Sequence, residues 1–301
     1  MNNHSSVKLI SSIHEPIWSG SRISHMFPRF KNNDKIGEAW ETSVNPDALS
    51  MVSSENDIIG FDRFLKLYNI TTPPLVKLLD ADVPLSIQVH PDQLTASKYG
   101  SVSKSEIWYV LAADNEASIL YGTKEGITLD EVRSAIFNGN VETVMCTVPV
   151  QPGDIFMIPC GMLHSLGGGI TVLEVQDREG TTYRVKDIMG NRTVHIDESA
   201  DSVRIYSANE ASKLAYTSPK RAASLGINGD VIASTENYAV IRHKTSSEAS
   251  EIPLRKGMYV FCEKGSCYTD DTELVIGDSV FTGSNNTTLR LAPHTSVIIV
   301  Y

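Results

Sequence analysis

Leu85-Ser86-Ile87-Gln88-Val89-His90-Pro91 reads as a short β-strand, rich in branched apolar residues and ended by a proline. Side chains alternate across a strand, so Gln88 and His90, two apart, project from the same face. Comparable runs stand at Val76 to Leu79, Glu106 to Leu111, Ala117 to Tyr121, Ile155 to Ile158 and Ile170 to Val175, separated by Gly, Pro, Asn or Asp. Short strands at such spacing predict a mostly β chain folded as a sandwich or jelly roll. One helix interrupts them. Thr128 is a candidate N-cap with Glu131 three residues on, Leu129, Val132, Ile136 and Phe137 form an apolar face, and Gly139 ends the segment. A shorter helix is expected over Phe61 to Leu67.

Working outward, residues 1–200 read as one β domain with a helical segment near 128–138. A Ser-, Ala- and Lys-rich connection follows over 201–221, and a smaller β domain over 222–301 has strands at Tyr238 to Arg242, Met258 to Cys262, Glu273 to Ile276 and Ser296 to Tyr301. A weak internal repeat links the two, because Pro152-Gly153-Asp154-Ile155-Phe156 is echoed by Ile276-Gly277-Asp278-Ser279-Val280. The second copy has no counterpart of His164, so the C-terminal unit is expected to be metal-free.

At 301 residues the chain is long enough for one large and one smaller core. Its formal net charge of −10 argues against nucleic acid, whose phosphates require a basic face. An anionic small molecule stays possible if a few cationic side chains concentrate in one pocket. No run approaches the roughly 18 apolar residues of a spanning helix, and the N-terminus has no signal-peptide core, so a cytoplasmic protein without membrane contact is expected. Cys146, Cys160, Cys262 and Cys267 contain no Cys-x-x-Cys pair, which points away from a disulfide framework or a thiolate zinc site.

The chemistry concentrates in four residues. Gln88 and His90 share a strand face, Glu106 opens another strand, and His164 follows the turn at Pro159-Cys160-Gly161. Two nitrogen and two oxygen ligands suit zinc, with manganese, iron and cobalt as alternatives. Taken singly, each has a structural reading as a hydrogen-bonded or solvated strand residue; it is the combination that signals a metal.

These segments resemble the type I mannose-6-phosphate isomerases in their short bacterial form, a family of the cupin superfamily. Ser86-Ile87-Gln88-Val89-His90-Pro91, Lys104-Ser105-Glu106-Ile107-Trp108-Tyr109 and Pro159-Cys160-Gly161-Met162-Leu163-His164 are similar to that family's metal segments. Lesser echoes occur at Pro16-Ile17-Trp18-Ser19-Gly20, Ile36-Gly37-Glu38-Ala39-Trp40, Val76-Lys77-Leu78-Leu79 and Thr182-Tyr183-Arg184. The resemblance runs from about Pro16 to Asp197 and implies two cupin-like jelly-roll β-sandwich units with a small helical insertion. It also implies a Zn2+ ion held by Gln88, His90, Glu106 and His164, and reversible conversion of the sugar phosphates mannose 6-phosphate and fructose 6-phosphate through an enediol. Lys104 and Arg184 match its active-site lysine and arginine, and Lys77, Ser86 and Trp18 match pocket positions. One position departs from the pattern. The family usually places an acid four residues before the arginine, where this chain has Gly180, with Asp177 and Glu179 nearby. That departure keeps open a sugar-binding or regulatory relative of impaired activity, and the shared fold keeps open an isomerase for another sugar or a different metal-dependent cupin.

Overall fold

The computed structural model describes residues 5–54, 57–178, 180–190, 192–207, 209–210, 229–269 and 272–301. Within them the chain is mostly strand, in two compact units. One comprises Pro16–Gly20 and Leu79–Ala215, the other Met1–Glu15, Ser21–Leu78 and Tyr216–Tyr301. This division departs from the expected domains 1–200 and 222–301, because residues 21–78 group with the C-terminal third. Of the expected connection 201–221, residues 208 and 211–221 lie outside the described residues. The helix Ile196–Ser202 reaches into its start.

The unit that carries the candidate ligands has two layers. A five-stranded sheet has the order Met145–Pro149, Ser118–Thr123, His164–Ser165, Ile87–Val89, Tyr183–Lys186, and the facing layer contains Ile155–Ile158, Glu106–Ala113 and Ile170–Gln176 as neighbours. The printed pairings in both layers are antiparallel. Trp18, Leu79, Trp108, Val110, Ile119 and Tyr121 belong to the core of this unit. Each large apolar side chain withdrawn from water there contributes about 1.5–3 kcal/mol. The strand expected over Leu85 to His90 is shorter, Ile87–Val89. Its flanks bond outside the ladder: the Leu85 carbonyl accepts from Ser165 Oγ at 2.8 Å and the His90 carbonyl from Gly161 N at 2.7 Å.

The helix Leu129–Phe137 begins as its sequence indicates. Thr128 Oγ1 accepts from Glu131 N at 3.3 Å and Glu131 Oε2 accepts from Thr128 N at 2.8 Å, a reciprocal cap. Gly139, with φ +70°, ends it in the left-handed region. Val132 and Ile136 pack with Ile87, Val89, Leu163 and Val185. Ile87 and Val89 therefore face this helical cover, and alternation turns Gln88 to the opposite face. The second helix spans Phe61–Leu67 as expected.

In the other unit, an eight-stranded sheet includes both ends of the chain. Ser6–Ile10 pairs with Ser279–Thr282 on one side and Met51–Ser54 on the other, with Ser6 opposite Thr282. The buried Glu41 carboxylate accepts from Arg29 Nη2 at 2.8 Å, Ser11 Oγ at 2.5 Å, Tyr259 OH at 3.3 Å and Ser279 Oγ. This network satisfies a charge that burial alone would penalise. Ile241, Leu254, Met258, Val260, Leu289 and Ile299 belong to an apolar cluster of this unit.

The repeated Gly-Asp segments form the same turn twice. Asp154 N donates to Gln151 O and Asp154 Oδ2 accepts from Gln151 N; Asp278 does the same with Val275. Gly153 N bonds Val110 O while Val110 N bonds Asp154 O, and Gly277 N bonds Cys262 O while Cys262 N bonds Asp278 O. Both glycines need positive φ, +95° and +85°. Following the two registers downward, Ile158 lies opposite Glu106, and Thr282 is bonded to Met258. Met258 thus takes the place in the second copy that Glu106 holds in the first. No helix among the described residues is long and apolar enough to cross a membrane.

Candidate metal centre and active site

His90 follows the strand Ile87–Val89, Glu106 opens Glu106–Ala113, and His164 opens His164–Ser165. Antiparallel pairing puts His164 directly opposite Gln88, and Gln88 opposite Arg184, so these three share one face. The side chains of His90, Glu106 and His164 are 0%, 2% and 1% exposed. His90 Nε2 lies 3.2 Å from Glu106 Oε2 and His164 Nε2 lies 3.5 Å from Glu106 Oε1. One ligand atom from each residue falls within 4.8 Å of the other two.

The tautomers follow from the second ring nitrogens. His90 Nδ1 is 3.2 Å from the Thr181 carbonyl and His164 Nδ1 is 2.9 Å from the Met162 carbonyl. A carbonyl only accepts, so both Nδ1 atoms carry the proton and both Nε2 atoms present bare lone pairs. His90 Nε2, His164 Nε2 and Glu106 Oε2 are buried without a hydrogen bond. Acceptors crowded together in this way repel one another unless a cation sits among them. Ligand atoms around a tetrahedral zinc, with bonds near 2.0–2.1 Å, stand about 3.3 Å apart, and the contacts of 3.2 and 3.5 Å that the two carboxylate oxygens make with His90 and His164 are of that order. The residues therefore fit a divalent ion that accepts imidazole nitrogen. Gln88 Nε2 donates to Ser86 Oγ at 3.0 Å, leaving its carbonyl oxygen as the atom available for a fourth bond.

The electrostatics agree. Burial, followed by the Lys104 charge, lowers the His90 pKa to about 4, and burial likewise lowers His164, so both rings stay neutral. Burial opposes ionisation of Glu106, but Lys104, His90 and His164 together outweigh it and the carboxyl is held well below its ordinary value. Lys104 Nζ is 2.8 Å from Glu106 Oε2 and donates to Gln176 Oε1 at 3.0 Å. Trp108 sets its ring edge-on to His164, with centroids 5.6 Å apart, and donates Nε1–H to Glu174 at 3.1 Å.

The remaining expected residues are distributed as follows. Ser86 is fully buried beside Gln88. Trp18, 3% exposed, lies in the core group with Leu79, Leu85 and Trp108. Arg184 Nη1 donates to Thr193 O at 2.7 Å while its Nε is buried without a partner, and burial, then Arg192, lowers its pKa. Lys77 belongs to the other unit, where Nζ lies over the Trp40 ring at 4.5 Å and 4.0 Å from Glu38 Oε2. Gly180 stands against Lys104: a Cβ on it would fall 2.3 Å from Lys104 Cβ. Asp177 Oδ2 accepts from Ser105 N and Ser105 Oγ, both at 2.9 Å, and Glu179 lies outside the described residues. Gln176 was not anticipated, since only the register that sets it opposite Glu106 brings it to Lys104.

A mannose-6-phosphate isomerase from Streptococcus mutans is 33% identical to this chain over 256 residues, covering 79% of this chain and 78% of that protein. The chain belongs to the mannose-6-phosphate isomerase family. Mannose-6-phosphate isomerase ManA of Bacillus subtilis is 32% identical over 213 residues, covering 65% of this chain and 67% of its own. The fold is that of the mannose 6-phosphate isomerase crystal structure from Bacillus subtilis, with a TM-score of 0.81 at 23% identity over 99% of this chain and 100% of that one. The mannose 6-phosphate isomerase of Salmonella typhimurium, solved with fructose 6-phosphate and zinc, has a TM-score of 0.74 at 15% identity over 99% of each chain. No family model matches the chain. Membership of this family accounts for a mostly β, cupin-like fold with a buried His-Glu-His group.

Proposed function

We propose that this chain is a zinc-dependent isomerase that interconverts mannose 6-phosphate and fructose 6-phosphate. The observation that carries the reading is the convergence of bare acceptor atoms from His90, Glu106 and His164 beside the Lys104 ammonium. Family membership and the substrate-bound Salmonella relative support it.

The reaction moves a proton between C1 and C2 of the sugar through an enediol. His90, Glu106 and His164, with Gln88, hold the ion. Zinc, when bound, supplies positive charge that polarises the carbonyl and stabilises the charge developing on its oxygen. Lys104 Nζ carries the proton between the two carbons, and its contact with Glu106 keeps it beside the ligand group. Arg184, whose Nε has no protein partner, binds an oxyanion of the substrate, either phosphate or enediolate. Lys77, Ser86 and Trp18 contact substrate, and a phosphorylated sugar as partner accords with a cytoplasmic setting.

The test is a coupled assay for fructose 6-phosphate formation by purified, zinc-loaded protein. Turnover that chelation abolishes and zinc restores is expected, with little or none on unphosphorylated mannose. Sugar-phosphate binding without turnover would favour the non-catalytic relative that Gly180 raises, and turnover of free mannose would indicate another sugar.

A further inference from the structure

We infer that Gln176 is the positioning residue for Lys104, holding its Nζ in place for proton transfer; this rests on the isomerase reading. Lys104 lies outside any strand or helix, so no backbone ladder places its long, flexible side chain. Four contacts do so instead. Cys160 Sγ donates to the Lys104 carbonyl at 3.2 Å, and Gly180 packs against the aliphatic stem, its missing side chain leaving the space the stem fills. At the far end Nζ stands 2.8 Å from Glu106 Oε2 as an ion pair and donates to Gln176 Oε1 at 3.0 Å. These two contacts fix the position of Nζ; the neutral amine takes the proton from one carbon through its lone pair, and the ammonium so formed returns it to the other.

Gln176 is built for this role. It is 3% exposed and lies directly opposite Glu106 in the antiparallel pair, so both side chains reach into the same space. Its Nε2 donates to the Asp177 carbonyl at 3.1 Å, which orients the amide with oxygen toward Lys104. Asp177 in turn bonds back to Ser105, next to Lys104, through its carboxylate and through its amide at 3.1 Å to the Ser105 carbonyl. The hydrogen bonds form a closed circuit around the lysine. Glu106 is a candidate ion ligand, which makes Gln176 the neutral acceptor that locates Nζ independently of the ion. The glycine at 180 belongs to the same arrangement, since a side chain there would displace the stem.

Gln176→Met and Gln176→Leu keep the buried volume and remove the acceptor, and either one that folds serves the test. Proton transfer is sensitive to misplacement of order 1 Å, so kcat is expected to fall about 10- to 100-fold. KM for mannose 6-phosphate and zinc content should stay within about twofold. The primary isotope effect with C2-deuterated mannose 6-phosphate should rise, because proton transfer becomes slower relative to the other steps. Crystals of the zinc-loaded variant should show Lys104 Nζ displaced from its wild-type position. An unchanged kcat, a loss explained by missing zinc or raised KM, or an unmoved Lys104 overturns the inference. Failure of the wild type to turn over mannose 6-phosphate overturns the isomerase reading instead, and the position of Lys104 in the variant crystals then still decides the role of Gln176.

Discussion

His90 and His164 each commit one ring nitrogen to a backbone carbonyl, Thr181 or Met162, and aim the other at Glu106. Without an ion this arrangement has a pH signature. An unfolded chain protonates His90 at its ordinary value of 6.5, whereas the folded chain resists until about 4. Between these values the unfolded state binds more protons, so the metal-free protein loses stability as pH falls through that window, with His164 adding in the same direction. Denaturant midpoints of chelator-treated protein measured across the window check this; a midpoint that is flat or rises on acidification contradicts it. Gly180→Asp, the change toward the family pattern, should destabilise the protein by about 1–3 kcal/mol through overpacking and should lower kcat, because its Cβ falls on the Lys104 stem. Chemical denaturation and the coupled assay read both effects. The candidate ligands were legible because metal chemistry restricts residue type, and His, Glu and His stood in recognisable segments. Gln176 and the tight fit at Gly180 were not, because both depend on what lies across a strand pair or loop and no local pattern encodes that.

Strand and helix boundaries show where local sequence is sufficient. The helix Leu129–Phe137 carries its own start and stop, a reciprocal cap at Thr128 and Glu131 and a left-handed Gly139, so it could be located before any fold was considered. Thr128→Ala should cost about 1 kcal/mol of stability and leave kcat and zinc content unchanged, since the cap is exposed to solvent on the helix that covers the sheet face away from Gln88. Thermal unfolding and the assay together test this, and a large loss of activity would show that the helix positions the site. The strand around Gln88 was less legible at its ends. Leu85 to His90 has strand composition throughout, but the Ser165 hydroxyl and the Gly161 amide take the flanking carbonyls out of the ladder. Those bonds come from residues some 70 to 80 positions away and leave no trace in the run itself.

At the scale of the whole chain, the repeated Gly-Asp turn was legible as a motif and recurs with the same hydrogen bonds. The grouping of residues 21–78 with 216–301 was not, because it rests on the strand Ser6–Ile10, which pairs with Met51–Ser54 on one side and Ser279–Thr282 on the other, and no sequence window spans those pairings. Leu289→Ala, in the apolar core of that unit, should cost about 2–5 kcal/mol while leaving kcat of the remaining folded protein intact. Urea unfolding beside the kinetic assay tests it. The substitution of Met258 for Glu106 at matched places in the two copies has a consequence for how the protein can change. The apolar cluster around Met258 is free to accumulate mutations that raise or lower robustness without touching the candidate ligands. The lobe with imidazoles and a carboxylate at its centre must instead keep an inward-facing polar surface that tends to destabilise any fold. Doubling one scaffold separates durability from reactivity, so selection can adjust each in its own half of the molecule.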